Sequence, residues 1–160
     1  MELACGIFTP ASSISDDDIR DIGVLLGCLS DHAPRVSPAD LLEVAIESHL
    51  FVVSDLDAPR GNGYRIVAMA TLVPKRQLMG CFGFVEDVAT HPDYERRGIS
   101  TWLNQQIIEH ARRIGIKHLD LTSSPEREAA NRLYLKLGYE RRATNVYRKK
   151  LDGSTSSPPA

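Results

Sequence analysis

Apolar positions along the chain follow two rhythms, and the rhythm changes wherever turn-forming residues interrupt it. Leu3 to Phe8 reads as a short strand, followed by a loop at Thr9-Pro10-Ala11-Ser12-Ser13. Ile19, Ile22, Leu25, Leu26 and Leu29 then recur at helical spacing. Ser15 followed by Asp18 predicts a capped start for that helix. The acid run Asp16-Asp17-Asp18 complements the helix dipole, which explains it better than metal binding does. A loop with His32, Pro34 and Arg35 leads to Ser37-Pro38, which opens a second helix with the stripe Leu41, Leu42, Ala45 and Ile46.

Strand-like runs come next. Leu50 to Ser54 and Tyr64 to Val73 flank the turn formers Asp57 to Gly63 and predict a hairpin. Pro74 to Gly83 reads as a connection to a further strand, Phe84 to Thr90, which His91-Pro92-Asp93 stops because proline cannot donate to a ladder. From Gly98, Ile99, Trp102, Leu103, Ile107 and Ala111 mark a helix that ends near Gly115. His118 to Thr122 is expected as a short buried strand. Ser124-Pro125-Glu126 predicts the start of a last helix, with the stripe Ala129, Ala130, Leu133, Tyr134 and Leu137 and a stop at Gly138. Tyr139 to Ala143 and Asn145 to Lys150 read as two final strands. The predicted order is β-α-α-β-β-β-α-β-α-β-β, an α/β layer around one central sheet. It forms a single domain over residues 1–151, with residues 152–160, rich in Ser and Pro, as a disordered tail.

Composition narrows the function classes without choosing one. A chain of 160 residues, 42% hydrophobic and 25% charged, suits one globular core. A net charge of −2 gives no pull toward nucleic acid or an anionic membrane. Cys5, Cys28 and Cys81 are odd in number and widely spaced. They make no zinc pattern and no disulfide framework, so no metal is expected and a reducing compartment is. The start Met1-Glu2-Leu3 lacks a basic segment before an apolar run, and no apolar stretch approaches membrane-spanning length. A cytoplasmic location is the expectation.

Chemistry concentrates where the strand Phe84–Thr90 feeds the helix at Gly98. A helix N-terminus at such a corner aims unpaired N–H groups outward and suits an anion. Gly98 permits close approach of a ligand, and Arg96 and Arg97 add positive charge. The corner lacks the Gly-Lys-Ser/Thr ending of a nucleotide-binding P-loop.

The element order, this corner and the segment Tyr134-Leu135-Lys136-Leu137-Gly138-Tyr139 together resemble the GNAT superfamily of acetyl-CoA-dependent N-acetyltransferases. The likeness covers nearly the whole chain and is most specific from Phe84 to Arg148. It implies a central mixed, mostly antiparallel sheet, splayed at the cofactor cleft and flanked by about four helices. The family's phosphate loop, Gln/Arg-x-x-Gly-x-Gly/Ala, stands here as Glu95-Arg96-Arg97-Gly98-Ile99-Ser100. Glu95 and Ser100 depart from it. A carboxylate beside a pyrophosphate would repel it, so Glu95 is expected to point away.

The resemblance implies that backbone groups of Val88, Ala89 and Thr90 hold the pantetheine arm of acetyl-CoA, and that one of their N–H groups polarises the acetyl carbonyl. Amides of Arg96, Arg97, Gly98, Ile99, Ser100 and Thr101 would hold the pyrophosphate, and Asn131 is a further cofactor contact. Tyr134 matches the family tyrosine that protonates the departing thiolate. For the general base, Glu86 stands before the cofactor strand among apolar neighbours able to raise its pKa. Asp120, a water chain, or a purely structural Glu86 are the alternatives. Alternation would set Glu86 and Asp87 on opposite faces. His91 reads as a turn residue; His32 and His49 flank the region where relatives build the acceptor pocket. The implied function is acetyl transfer to a primary amine of a small molecule or peptide by direct attack, and relatives that pair through terminal strands leave a homodimer open. The alternative is a non-catalytic acyl-CoA sensor on the same fold.

Overall fold

The computed structural model describes residues 1–58 and 65–151. The proposed tail at 152–160 and part of the turn-rich segment after Asp57 lie outside those residues. Strand β1 (Leu3–Phe8) leads to helices α1 (Asp16–Gly27) and α2 (Pro38–Glu47). Strands β2 (His49–Asp55), β3 (Ile66–Gln77) and β4 (Gly80–Thr90) follow, then a 3-10 turn (Pro92–Tyr94), α3 (Ile99–Arg113), β5 (Leu119–Asp120) and α4 (Glu128–Lys136). The sheet has five strands among the described residues, in the order β1-β2-β3-β4-β5, and it does not close. Neighbours pair antiparallel except β4 and β5, which pair parallel.

Local chemistry explains the helix starts. Ser15 and Asp18 form a reciprocal capping box on α1, and Ser37 and Asp40 form a second on α2, where Pro38 takes the first turn. The pleat of β2 then splits the core in two. Phe51 and Val53 point to one face with Leu72, Val85 and the α3 stripe Ile99, Leu103 and Ile107. Leu50 and Val52 point to the other with Ile22, Leu25 and Leu41 of α1 and α2. Each face is covered by its own helices, so the sheet centre is dry on both sides.

Three expectations change. Pro74 to Gly83 is not a connection: β3 runs to Gln77, β4 begins at Gly80, and only Leu78 and Met79 make the turn. The end of β3, Lys75-Arg76-Gln77, is polar and exposed, and β4 opens on half-buried Gly80-Cys81-Phe82, so no apolar periodicity marks the junction. The final helix starts at Glu128 rather than at Pro125, because Arg127 N–H donates to Ser124 O at 3.1 Å and closes a separate turn first. The two expected last strands do not form among the described residues. β5 spans only Leu119–Asp120 and offers a very short edge. The following chain carries Arg141-Arg142 and Arg148-Lys149-Lys150, charges that discourage strand pairing.

Candidate active site

β4 and β5 are held together only near their starts. Gly83 pairs with Leu119 and Phe84 with Asp120, supported by Gly83 N–H to His118 O at 3.0 Å. A Cβ at Gly83 would lie 2.7 Å from a Leu119 methyl, so glycine is what lets the strands approach this closely. Beyond Phe84 the β5-facing edge of β4 has no strand partner among the described residues. This agrees with the splay that the family resemblance implies, and Val88, Ala89 and Thr90 lie along that edge.

A bulge bends β4 at the same place. Met69 faces Ala89 and Thr71 faces Glu86, so Ala70 opposes both Asp87 and Val88. Asp87 takes φ +52°, left-handed for a residue with a Cβ. The bulge cancels the simple alternation expected for this segment. Glu86 and Asp87 are both exposed at one cavity of about 400 Å³, rather than separated by the sheet. Although the residue as a whole is exposed, partial desolvation of its carboxyl pushes Glu86 above the usual carboxylate value, and the Asp87 charge adds to it.

Tyr134, on α4, lines that same cavity, as do Thr122, Ser123 and Arg127. Burial raises the Tyr134 phenol pKa, while Arg127 opposes the shift. The phenol therefore stays protonated at neutral pH, the state a proton donor needs. Tyr134 packs edge-on against Tyr139, with ring centres 5.8 Å apart. Burial pushes the Tyr139 phenol up to about 12.

The strand–helix corner lies at the other end of the splayed edge. Arg96 takes φ +59° and Gly98 φ +79°, and Gly98 forms the N-cap of α3 without a side-chain cap. Nothing stands within 4 Å of a Cβ built at Gly98, so its role there is the left-handed turn. Glu95, Arg96 and Arg97 are exposed. Arg97 stacks over the Tyr94 ring at 5.0 Å, and Tyr94 Oη donates to buried Asp55 at 2.9 Å. Thr90 Oγ1 and Ser100 Oγ are 2.8 Å apart and tie the edge to the corner. Uncapped helix N–H groups beside two arginines and an unpaired strand edge fit a long thioester with a phosphate at its far end.

Other candidates fall elsewhere. Asn131 donates through Nδ2 to Ser124 O at 2.9 Å and lines an adjoining groove of about 770 Å³ between α3, β5 and α4, which shares Thr122, Ser123 and Tyr134 with the first cavity. Asp120 lines that groove too and sits 3.4 Å from His118 Nε2, apart from Glu86. His91 is buried in the turn, where Nδ1 accepts from Asp93 N–H at 3.2 Å. His32 is exposed, and His49 packs on His110 rather than lining either cavity. Asp87, Arg127, Ser123 and Arg148 join the site without having been predicted. Arg127 directly before the helical stripe was the one legible signal among them. Among the described residues no group of three or more His, Cys, Asp or Glu side chains could hold a metal ion, and no helix is long and apolar enough to cross a membrane.

The family model described as the Acetyltransferase (GNAT) family matches residues 26–139. Among curated proteins no sequence matches the chain. Solved structures similar to it include an acetyltransferase from Trypanosoma brucei, 23% identical, TM-score 0.71, covering 93% of this chain and all of that one. Glucosamine-6-phosphate N-acetyltransferase from Arabidopsis thaliana is 15% identical, TM-score 0.72, covering 95% and 100%. An aminoglycoside acetyltransferase from an uncultured soil metagenomic sample, in complex with sisomicin, is 14% identical, TM-score 0.72, covering 92% and 96%. At these identities the likeness establishes the fold.

Proposed function

This chain belongs to the GNAT acetyltransferase family, and from that premise we propose that it moves the acetyl group of acetyl-CoA to the primary amine of a small molecule by direct attack. One observation carries the reading. Glu86 and Tyr134, a carboxyl and a phenol with raised pKa values, line one cavity where β4 has lost its neighbour. Solved structures of the same fold carry names that state glucosamine 6-phosphate, aminoglycosides and a ribosomal protein as acceptors; the first two are small molecules, and a cavity of about 400 Å³ favours that size.

Acetyl-CoA supplies an activated thioester; the other tasks fall to the chain. The backbone of Val88, Ala89 and Thr90 extends β4 to the pantetheine arm, and an outward N–H, that of Val88 or Thr90 since the Ala89 N–H turns toward β3, donates to the carbonyl oxygen as charge develops there. The amides of Arg96, Arg97, Gly98, Ile99, Ser100 and Thr101 receive the pyrophosphate, with Arg96 adding charge. Glu86 accepts the proton that the attacking amine must lose. Tyr134 donates its phenolic proton to the leaving sulfur. Asn131 keeps a bracing role, since its amide already holds Ser124 O. Cys5, Cys28 and Cys81 are free thiols, which supports a cytoplasmic setting.

Calorimetric titration with acetyl-CoA, followed by a thiol-release assay over a panel of amines, tests the reading. Saturable binding and amine-dependent thiol release are expected. No detectable binding at millimolar acetyl-CoA overturns it.

A further inference from the structure

Four charged side chains on the wall of the 400 Å³ cavity have no counter-ion among the described residues. Glu86 and Asp87 stand together on the β4 bulge, and Arg127 and Arg148 reach the cavity from α4 and from the chain after it. Among the described residues, no ion pair engages any of the four. The acidic pair and the basic pair therefore do not neutralise each other. Each pair is like-charged, and the proximity of Asp87 disfavours the charged form of Glu86.

The basic end is built rather than incidental. Arg127 Nη2 donates to Leu29 O at 2.9 Å, which fixes the guanidinium against the end of α1. Arg127 is also the N-cap residue of α4, with no side-chain cap bond, so the positive end of the helix adds to its charge. Nothing in helix stability favours a cation there.

We propose that the acceptor is a zwitterion: a small molecule whose primary amine meets Glu86 and Asp87 and whose anionic group, a carboxylate or a phosphate, meets Arg127 and Arg148. The inference rests on the acetyl-transfer reading above and adds the acceptor class to it. An ammonium relieves the repulsion between the two carboxylates and then yields its proton to Glu86. An anion satisfies two guanidiniums whose planar forks suit carboxylate or phosphate. A neutral amine would leave both arginines unmatched, and a polyamine would press positive charge on them. A cavity of about 400 Å³ fits a small molecule rather than a folded polypeptide.

Matched acceptors test this with the full chain: glucosamine 6-phosphate against glucosamine, β-alanine against its amide, and putrescine as a dication. The readout is kcat/KM for thiol release, with calorimetric acceptor binding as a second measure independent of turnover. At least one anionic acceptor should exceed its neutral partner by about tenfold or more, and putrescine should be poor. Which pair responds identifies carboxylate or phosphate. Arg127→Gln and Arg148→Gln should each shrink that ratio several-fold. Arg148 lies on an exposed segment and keeps the test valid if Arg127→Gln loosens the fold. Neutral partners that equal the anionic ones overturn the zwitterion, as do arginine variants that weaken acetyl-CoA binding and leave the ratio intact. In both cases bound acetyl-CoA leaves the acetyl-transfer reading standing. A wild-type protein that binds no acetyl-CoA and acetylates no amine removes both.

Discussion

Thr90 Oγ1 and Ser100 Oγ lie 2.8 Å apart, and this contact joins the last residue of β4 to the first turn of α3. It links the two halves of the proposed acetyl-CoA site, the strand edge and the anion corner. Ser100 is also anchored from below, because buried Asn104 donates through Nδ2 to Ser100 O at 2.9 Å. The serine that departs from the family's phosphate loop thus has a local task that alanine or glycine could not perform.

Ser100→Ala should lower stability by about 1 kcal/mol, since Thr90 loses a part-buried partner. Thr90→Val should cost a similar amount, and the double variant less than the sum of the two. Denaturant melts of the four proteins give the coupling. Additive losses would mean the hydroxyls do not interact in solution.

The two tyrosines separate function from packing. Tyr134→Phe keeps the ring that packs on Tyr139 and removes the proposed proton donor. Turnover should fall by roughly a hundredfold or more, with acetyl-CoA affinity retained. Tyr139→Phe removes a buried hydroxyl that has no partner among the described residues. That variant should be as stable as the parent or up to about 1 kcal/mol more stable. Thermal melts and single-turnover rates distinguish the two, and a Tyr134→Phe protein with normal turnover would exclude the phenol as acid.

How much of this was legible depends on how local each signal is. The capping boxes at Ser15 and Ser37 and the left-handed Gly98 sit on residues whose chemistry announces them. The splay of β4 from β5 was expected from family likeness, and the pairing that stops at Phe84 and Asp120 agrees with it. The bulge was not legible. An aspartate at φ +52° looks like any strand residue in sequence, and only the register against β3 reveals it. The same bulge overturned the assignment of Glu86 and Asp87 to opposite faces. Arg148 is hidden because its segment reads as a strand, and that pattern says nothing about a cavity formed with β4 and α4.

Glu86 and Asp87 predict a shift in the pH profile. Burial, then the Asp87 charge, raises the Glu86 pKa above its ordinary value of 4.5. If Glu86 is the base, kcat/KM rises with pH as its carboxyl ionises. Asp87→Asn should then move that acid limb to lower pH, because one cause of the raised pKa is gone. A limb that stays in place excludes this coupling. Stability carries the opposite sign. A carboxyl whose folded pKa is raised favours the fold when protonated and loses that contribution as pH rises through the folded value. Glu86→Gln should therefore melt higher than wild type near neutral pH, and the gap should close below pH 4.5.

His49 and His110 predict acid sensitivity far from the site. Their rings meet edge-on at 4.7 Å, and Phe51 contacts His110 from the sheet at 5.4 Å. Burial lowers the pKa of both, and His49 and the Arg113 guanidinium lower that of His110 further. Arg113 Nη2 lies 3.4 Å from His110 Nδ1, and His110 Nε2 is buried without a partner among the described residues. The fold therefore holds both rings neutral. A histidine whose folded pKa is depressed takes up its proton more readily when unfolded, so stability rises with pH across the interval between the two values. The full contribution is present above the ordinary value of 6.5 and is lost as pH falls below it. His110→Phe keeps an aromatic ring against Phe51, removes the orphaned nitrogen, and leaves His49 without a like-charged neighbour. Its melting temperature should fall less than that of the wild type between pH 7.5 and pH 5. Parallel curves for the two proteins would show that the histidine pair does not set the acid limit of stability.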